Sequence, residues 1–226
     1  MTRLRLMSYN VHTLRDDLGA LAEVVAAAAP DVVVIQEAPR RFRWRARCAD
    51  LAHRFGLLYA GGGLPSLGNL VLTNYRVRVH EHWCVQYPLT PGRHMRGAVL
   101  VRCSVAGTDF VVAGSHLATD AGERPAQAAI LRRALAAVAE PTLLGIDLND
   151  VAGSAAWRIV ADGLVDSGAA SGEPTFPARA PKRRIDAVMV DPRCVIDSYR
   201  VFDHPRAVQA SDHLPVVVDL RVDKTS

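Results

Sequence analysis

The sequence predicts an α/β protein of the α+β kind, in which helices cover mixed β-sheets. Three observations predict this class. The chain opens as strand, helix and strand, residues 57–116 follow a mostly two-residue period, and predicted strands outnumber helices by about two to one. The length of 226 residues suits one domain, and we expect a single domain over 1–226.

The opening strand, helix and strand each have a local cause. Residues 4–10 alternate polar and apolar side chains, which is typical of a strand. Asp16 and Asp17 stand where a helix begins, and Pro30 stops it. Residues 31–37 form a short continuous apolar run, as expected of a strand buried on both faces.

Residues 40–56 predict a second helix with two different faces. Its arginines, concentrated in RRFRWRAR (40–47), fall mainly opposite the apolar face. We favour a solvated face over a dedicated nucleic-acid patch for these arginines. The helix ends at Gly56, and its apolar positions are Trp44, Cys48, Leu51, Ala52 and Phe55.

Strands joined as hairpins are predicted in the middle of the chain, where the period is mostly two. AGTD (106–109) supplies the turn between the last two of these strands. The four predicted strands are 69–73, 76–84, 96–105 and 109–115.

The remaining elements mix helices and strands. Residues 123–140 form a clear amphipathic helix, 141–147 a strand and 154–162 a short helix. A loop rich in Gly, Pro and Ala covers 166–181. Three further strands are predicted at 184–190, 194–202 and 214–220.

Composition and charge limit the classes of function. The formal net charge of +4 and the pI of about 9.1 weakly favour a phosphate-bearing partner. The four cysteines are far apart without CxxC spacing, so we expect free thiols in a reducing compartment. No apolar run reaches the roughly 20 residues of a membrane helix, and no signal peptide is recognisable, so we expect a cytoplasmic protein.

Polar side chains stand at the ends of several predicted strands. In α/β folds ligands gather in the crevice beyond strand ends, so we expect these side chains to share one site. Each alone has a plainer interpretation, as a turn former, a helix cap or a structural histidine. The set comprises Asn10, Glu37, His116, Asp147, Asn149, Asp186, Asp212 and His213.

Two groups within this set suggest metal and proton chemistry. Asn10, Glu37 and Asp212 offer the hard oxygen ligands that suit Mg²⁺ or Mn²⁺. His116 and His213 can donate protons or bind a phosphoryl oxygen near neutral pH.

The other members complete a mechanism. Asp147 can orient or deprotonate an attacking water, and Arg96 can neutralise charge that develops on a phosphate. Asp186 lies within an apolar strand, where an unpaired charge would be costly. Together these residue types indicate metal-assisted phosphoester hydrolysis.

Eight short motifs in order resemble those of the endonuclease/exonuclease/phosphatase superfamily, which has the pancreatic deoxyribonuclease-like fold. The resemblance spans residues 4–220, and the ordered set is far more specific than any single motif. The motifs are SYNVH (8–12), VIQE (34–37), GNLVLTN (68–74), RGAVLV (96–101), GSHL (114–117), DLN (147–149), RRIDAVMV (183–190) and SDHLPVVVDL (211–220).

The resemblance implies a four-layer sandwich of two face-to-face mixed β-sheets flanked by helices, with the site at one end of the sheets. It implies that Glu37 binds the divalent metal, with Asn10 and Asp212 nearby as further ligands. It implies that Asp147 positions or activates the attacking water and that Asn149 holds the substrate phosphate.

The resemblance also implies roles for the remaining residues. His213 would contact the phosphate, with Asp186 fixing its tautomer. His116 matches the general acid of the deoxyribonuclease and sphingomyelinase branches, whereas abasic-site enzymes typically have tyrosine there. Arg96 matches a phosphate-binding arginine, and Asn69 of the GN motif supports the substrate site.

Two departures bear on substrate choice. The family usually has Gly-Asp-Phe-Asn, whereas here Gly145 lies one residue further from Asp147. The chain is also short for the family, which leaves little room for loops that grip duplex DNA.

Three functions stay open. The first is a Mg²⁺- or Mn²⁺-dependent, nuclease-like phosphodiesterase acting on DNA or RNA. The second is a phosphatase or phospholipase-type hydrolase of a small phosphoester, similar to sphingomyelinases or inositol phosphatases. The third is a catalytically silent binding module, which has no reason to keep the whole set. We expect a monomer whose partner is a phosphoester substrate, with nucleic acid as the first candidate.

Overall fold

Two β-sheets of six strands each lie at the centre of the computed structural model. The structure describes residues 1–223, so the last three residues of the predicted 1–226 domain lie outside it. The strands are β1 (Thr2–Asn10), β2 (Val32–Gln36), β3 (Leu58–Gly63), β4 (Asn69–Thr73), β5 (Arg78–Gln86), β6 (Gly97–Val105), β7 (Thr108–His116), β8 (Thr142–Asp147), β9 (Val165–Asp166), β10 (Asp186–Val190), β11 (Cys194–Val201) and β12 (Val216–Val222). The α-helices are α1 (Leu18–Ala28), α2 (Trp44–Arg54), α3 (Arg124–Ala136), α4 (Ala155–Ala161) and α5 (Ala207–Ala210).

Both sheets are mixed. The first has the order β11-β12-β1-β2-β4-β3, and only β1 and β2 pair in parallel. The second has the order β5-β6-β7-β8-β10-β9, and only β7 and β8 pair in parallel. The second sheet is continuous in sequence, whereas the first takes strands from both ends of the chain.

Three apolar clusters show how the layers pack. One cluster lies between the sheets, where Leu6 and Val34 face Phe110 and Val112. The second joins the first sheet to α1, α2 and α5, and the third joins the second sheet to α3 and α4. The predicted four-layer sandwich, with two face-to-face sheets flanked by helices, is confirmed.

The alternation of β1 decides which side chains point between the sheets. Leu4 and Leu6 belong to the cluster between the sheets, whereas Met7 and Tyr9 pack under the helices. Because side chains alternate along a strand, Asn10 points the same way as Leu4 and Leu6. The last residue of β1 is therefore directed at the second sheet.

Helix α1 begins and ends as its sequence predicts. The Asp17 side chain accepts hydrogen bonds from the backbone N–H groups of Gly19 and Ala20, which caps the first turn. Ala29 then takes a left-handed conformation at φ 46°, and Pro30 follows.

Several elements differ from the predictions. Strand β3 was not predicted, because its second half is the glycine run 61–63, which carries no apolar alternation. Helix α3 ends at Ala136 and not at residue 140, and the short elements β9 and α5 were also not predicted. The AGTD turn is confirmed, since Ala106 and Gly107 join β6 to β7 with φ of 50° and 77°.

No helix within residues 1–223 combines the length and the apolar character needed to cross a membrane.

Candidate active site

Strand register aligns three predicted site residues across the second sheet. His116 at the end of β7 pairs with Asp147 at the end of parallel β8, and Asp147 pairs with Asp186 at the start of β10. Gly97, which follows Arg96, is paired with His116 on the other side. These residues therefore lie at one edge because of strand direction and register.

Residues from the first sheet meet this edge. Asn10 and Gln36 are register partners at the ends of β1 and β2, and Glu37 follows. Two amide side chains bridge the sheets. The Nδ2 atom of Asn10 donates to Asp147 Oδ2 at 2.8 Å, and the Nδ2 atom of Asn69 donates to the Gly97 carbonyl oxygen at 2.9 Å.

Asp147 lies at the centre of the site and is 1% exposed. Its Oδ1 accepts from the backbone N–H of Asn149 at 2.8 Å, while its Oδ2 accepts from Asn10. The same Oδ2 lies 3.2 Å from His116 Nε2 and 3.9 Å from His213 Nε2. This carboxylate is therefore held in place by neutral donors and faces both imidazoles.

His213 forms a buried pair with Asp186. Its Nδ1 lies 2.9 Å from Asp186 Oδ2, which leaves Nε2 directed towards Asp147. Burial lowers the pKa of His213, but the charge and hydrogen bond of Asp186, with the charges of Asp147 and Asp212, outweigh burial and raise the pKa to about 10. The ring is an imidazolium at neutral pH.

His116, in contrast to His213, is uncharged at neutral pH. Burial lowers the pKa of His116 to about 3, because the nearby charge of Asp147 does not compensate and Arg96 and His213 lower it further. The Asn149 amide donates to the Leu117 carbonyl oxygen and contacts His116 Nε2 at 2.8 Å. Nε2 is therefore an acceptor, and the ring proton lies on Nδ1.

The residues that could hold a metal fall into two groups. Asp147, Asp186 and His213 have ligand atoms within 4.8 Å of one another, and this cluster could hold a cation. The predicted ligand Asp212 is half-buried, its Oδ1 has no hydrogen-bond partner within residues 1–223, and His12 Nδ1 lies 3.7 Å away. Glu37 is also half-buried.

Arg96 is a buried guanidinium beside the site. It is 7% exposed, and its Nε has no hydrogen-bond partner among residues 1–223. Burial lowers the pKa of Arg96, whereas the charges of Asp147 and Glu37 act in the opposite direction. Arg96 therefore lies within the field of both carboxylates without a bonded partner at Nε.

Left-handed backbone marks the ends of two site strands. Glu37 after β2 and Asn149 after β8 have φ of 58° and 52°. Residues other than glycine rarely adopt this backbone conformation, and those that do are often found at functional sites. It turns each chain sharply at the residue that carries the polar group.

Comparison with known proteins assigns the family. The sequence profile of the Endonuclease/Exonuclease/phosphatase family matches residues 7–213. The chain belongs to this family. Members of the family are phosphoester hydrolases, which supports the hydrolase prediction. A comparison with curated proteins finds no match.

Solved structures share the family fold. An endonuclease/exonuclease/phosphatase from Beutenbergia cavernae is 26% identical with a TM-score of 0.75, covering 98% of this chain and 72% of that one. A mannosyl-6-phosphatase from Bacteroides thetaiotaomicron is 17% identical with a TM-score of 0.80, covering 96% and 99%. D. rerio TDP2, complexed with a single-strand DNA product, is 17% identical with a TM-score of 0.78, covering 98% and 100%.

The structure places three further residues at the site that sequence reasoning missed. The Thr175 hydroxyl donates to Asp186 Oδ2 at 2.5 Å, and the Phe176 ring lies 4.7 Å from the His213 ring. Both belong to the predicted loop 166–181, in which no local pattern distinguishes them. Arg124 of α3 donates to the Asn149 carbonyl oxygen at 2.6 Å, which fixes the turn after β8.

A cavity of about 620 Å³ lies at the end of the first sheet opposite to Asn10 and Glu37. None of the predicted site residues lines it. Three ion pairs line it, Arg5 with Asp219 at 2.6 Å, Arg76 with Asp31 at 2.8 Å and Arg221 with Asp197 at 2.9 Å. The predicted site residues therefore lie at the other end of the sheets from this cavity.

Proposed function

We propose that this protein is a divalent-cation-dependent phosphoester hydrolase, and first of all a nuclease-like phosphodiesterase. One observation carries the proposal. A continuous hydrogen-bonded arrangement links Asn10, Asp147 and Asn149 at the sheet ends, with the His213–Asp186 pair facing the same carboxylate. Water would attack phosphorus, and the ester P–O bond would break.

Asn10, Glu37 and Asp212 are the residues we propose for Mg²⁺ or Mn²⁺. Their oxygen atoms suit a hard cation, and the unpartnered Oδ1 of Asp212 fits a missing positive partner. Asn10 Oδ1 already accepts from the backbone N–H of His12 at 3.0 Å and keeps a second lone pair. When bound, the cation would neutralise charge on the phosphoryl oxygens.

Asp147 is the proposed acceptor of the water proton. Its neutral donors orient the carboxylate without neutralising it, so Asp147 can orient and deprotonate a water in the site. Asn149, held by the backbone of Leu117, would use its amide to position the substrate phosphate.

The histidines and Arg96 are proposed to handle phosphate and leaving-group charge. The His213 imidazolium would donate from Nε2 to a phosphoryl oxygen, with Asp186 holding the ring. Arg96 would bind another phosphoryl oxygen. To protonate the leaving oxygen, neutral His116 would first accept at Nε2 the proton that Asp147 takes from the attacking water, across the 3.2 Å between Asp147 Oδ2 and Nε2, giving up the Asn149 contact; the ring returns to neutral when the leaving oxygen takes that proton.

Hydrolysis of bis-p-nitrophenyl phosphate tests the proposal. We expect activity with Mg²⁺ or Mn²⁺ and its loss in excess EDTA. We also expect Glu37→Gln, Asp147→Asn and His213→Ala to lower kcat by about 10²–10⁴-fold while the protein stays folded.

A matched control is Asp197→Asn, which removes an exposed carboxylate paired with Arg221 at 2.9 Å and should leave kcat unchanged. Full activity in excess EDTA would sink the metal-dependent mechanism. Wild-type rates in Asp147→Asn would remove that residue from the chemistry.

A second candidate is a phosphatase of a small phosphoester. A small polar cavity beside Arg96 favours it, and the mannosyl-6-phosphatase is a structural neighbour of matching length. A panel of single- and double-stranded DNA, RNA, sphingomyelin, inositol phosphates and a hexose phosphate separates the candidates, with Asp147→Asn as the blank.

A further inference from the structure

A cavity of about 170 Å³ opens beside Arg96, between the β5–β6 loop and the start of α3. At roughly 30 Å³ per water it has room for about six waters, which is the scale of one small ring. It is lined by Gly92, Arg93, His94, Arg96, Ala118, Thr119, Asp120 and Glu123.

Two buried polar atoms at this cavity lack hydrogen-bond partners, although Glu123 Oε1 lies within ion-pair distance of Arg93 Nε. Within residues 1–223, Arg96 Nε has no hydrogen-bond partner, and neither does Glu123 Oε1. The Glu123 side chain is nevertheless fixed, because Gln127 Nε2 donates to its Oε2 at 3.1 Å and Gln127 Oε1 accepts from the Ala118 N–H at 2.8 Å. Burying polar atoms without partners is costly, which indicates a ligand that completes them.

An ion pair joins the two walls of the cavity. Arg93 Nη1 lies 2.6 Å from Asp120 Oδ2, and Arg93 Nε lies 3.8 Å from Glu123 Oε1. With Arg96, the lining therefore carries two cations and two carboxylates, and their charges balance. This balance suits a neutral group with several hydroxyls, which donate to carboxylates and accept from guanidinium groups.

The lining also disfavours a base. Nucleobases are held mainly by stacking on aromatic rings, and the one aromatic side chain in this lining is the exposed imidazole of His94. We propose that the cavity binds the sugar ring attached to the scissile phosphate, with Arg96 on the phosphate side and Glu123 and Asp120 accepting from sugar hydroxyls. This inference rests on the proposed phosphoester hydrolysis and names the group next to the phosphate.

Glu123→Gln tests the inference because it keeps the shape of the side chain and removes its charge. We would measure kcat/KM with Mg²⁺ on bis-p-nitrophenyl phosphate, a hexose phosphate, a short RNA and the DNA of the same sequence. We expect kcat/KM to fall about tenfold or more on sugar-bearing substrates, because hydrogen bonds to charged groups are the strong ones. The sugar-free ester should change by less than about twofold.

Two further variants sharpen the result. Asp120 lies on the other wall of the cavity, and Asp120→Asn should also lower kcat/KM on the sugar-bearing substrates but not on the sugar-free ester. Glu140→Gln is the matched control, since Glu140 pairs with Arg102 at 2.6 Å away from the cavity and should change nothing. A loss confined to the hexose phosphate identifies a free sugar phosphate as the source of the ring, whereas a loss on RNA exceeding that on DNA identifies ribose.

The outcomes separate this inference from the proposed function. If the wild type hydrolyses no ester at all, the proposed function fails. If it hydrolyses the sugar-free ester while Glu123→Gln and Asp120→Asn, both folded by circular dichroism, alter all substrates equally or none, the sugar site is overturned.

Discussion

Two buried histidines of the same site differ in charge because the Asp186 charge and hydrogen bond outweigh burial at His213, whereas the charge of Asp147 does not outweigh burial at His116. A carboxylate faces Nδ1 of His213, whereas an amide of Asn149 donates to Nε2 of His116. Sequence reasoning proposed both imidazoles because each stands at a strand end, and the family resemblance implied that Asp186 fixes the tautomer of His213. It did not predict the opposite charges, because burial and the orientation of the Asn149 amide depend on contacts distant in sequence.

Thr175 is expected to position the His213–Asp186 pair. Thr175→Val removes the hydroxyl that donates to Asp186 Oδ2 and keeps the side-chain shape. We expect kcat on bis-p-nitrophenyl phosphate to fall by about 10- to 100-fold, as for other outer-shell partners. Thr175→Ser retains the hydroxyl and should restore most of the rate. Equal impairment of the two variants would argue for a packing role only.

At the scale of elements, strand alternation was the most informative sequence signal. It predicted β1, β4 and β7 close to their observed bounds, whereas β2 was predicted from its continuous apolar run, and alternation is why Asn10 and Asn69 point between the sheets. Spacing between the sheets was not predictable. A Cβ on Gly114 would meet Val34 Cγ1 at 2.7 Å, and one on Gly145 would meet Val34 Cβ at 2.8 Å. The displaced glycine before Asp147 thus permits close packing of the sheets.

These two glycines give a paired stability prediction. Gly114→Ala and Gly145→Ala should each lower the free energy of unfolding by about 1–3 kcal/mol through overpacking. In a Val34→Ala background, which lacks Cγ1, the penalty for Gly114→Ala should shrink, but that for Gly145→Ala should persist. Urea denaturation of the wild type, the three single variants and the two double variants gives one double-mutant cycle for each glycine with Val34. Equal coupling of both glycines to Val34 would contradict this account.

At the scale of the whole molecule, the candidate site requires both sheets. Asn10, Glu37 and Asp212 come from the first sheet or its ends, and His116 and Asp147 come from the second. The ordered motifs predicted this convergence, because they resemble a family in which the same pieces meet. Charge alone carried little information, since many arginines are paired with acids, as Arg5 is with Asp219.

Apart from Arg40, which donates to the Leu67 and Met95 carbonyl oxygens, the arginines of the segment 40–47 are expected to be solvated and not a substrate track. Arg41, Arg43 and Arg47 are exposed. Replacing all three with Gln should leave the slope of log K against log salt for single-stranded DNA unchanged. Arg96→Gln, the positive control, should reduce the slope by about 0.7, the value of one phosphate contact. A fall of about 2 in the triple variant would instead make the segment a nucleic-acid surface.

The pairing of β1 with β12 has a consequence for the order of events during synthesis. The two strands are joined from Thr2↔Val222 to Ser8↔Val216, so the partners are separated by most of the described sequence and are translated far apart in time. At about 5–20 residues per second, β1 waits roughly 10–40 s for β12. During that wait one edge of β1 is open to another chain. Asp212 and His213 arrive immediately before β12, so the candidate site is assembled only when that edge is closed.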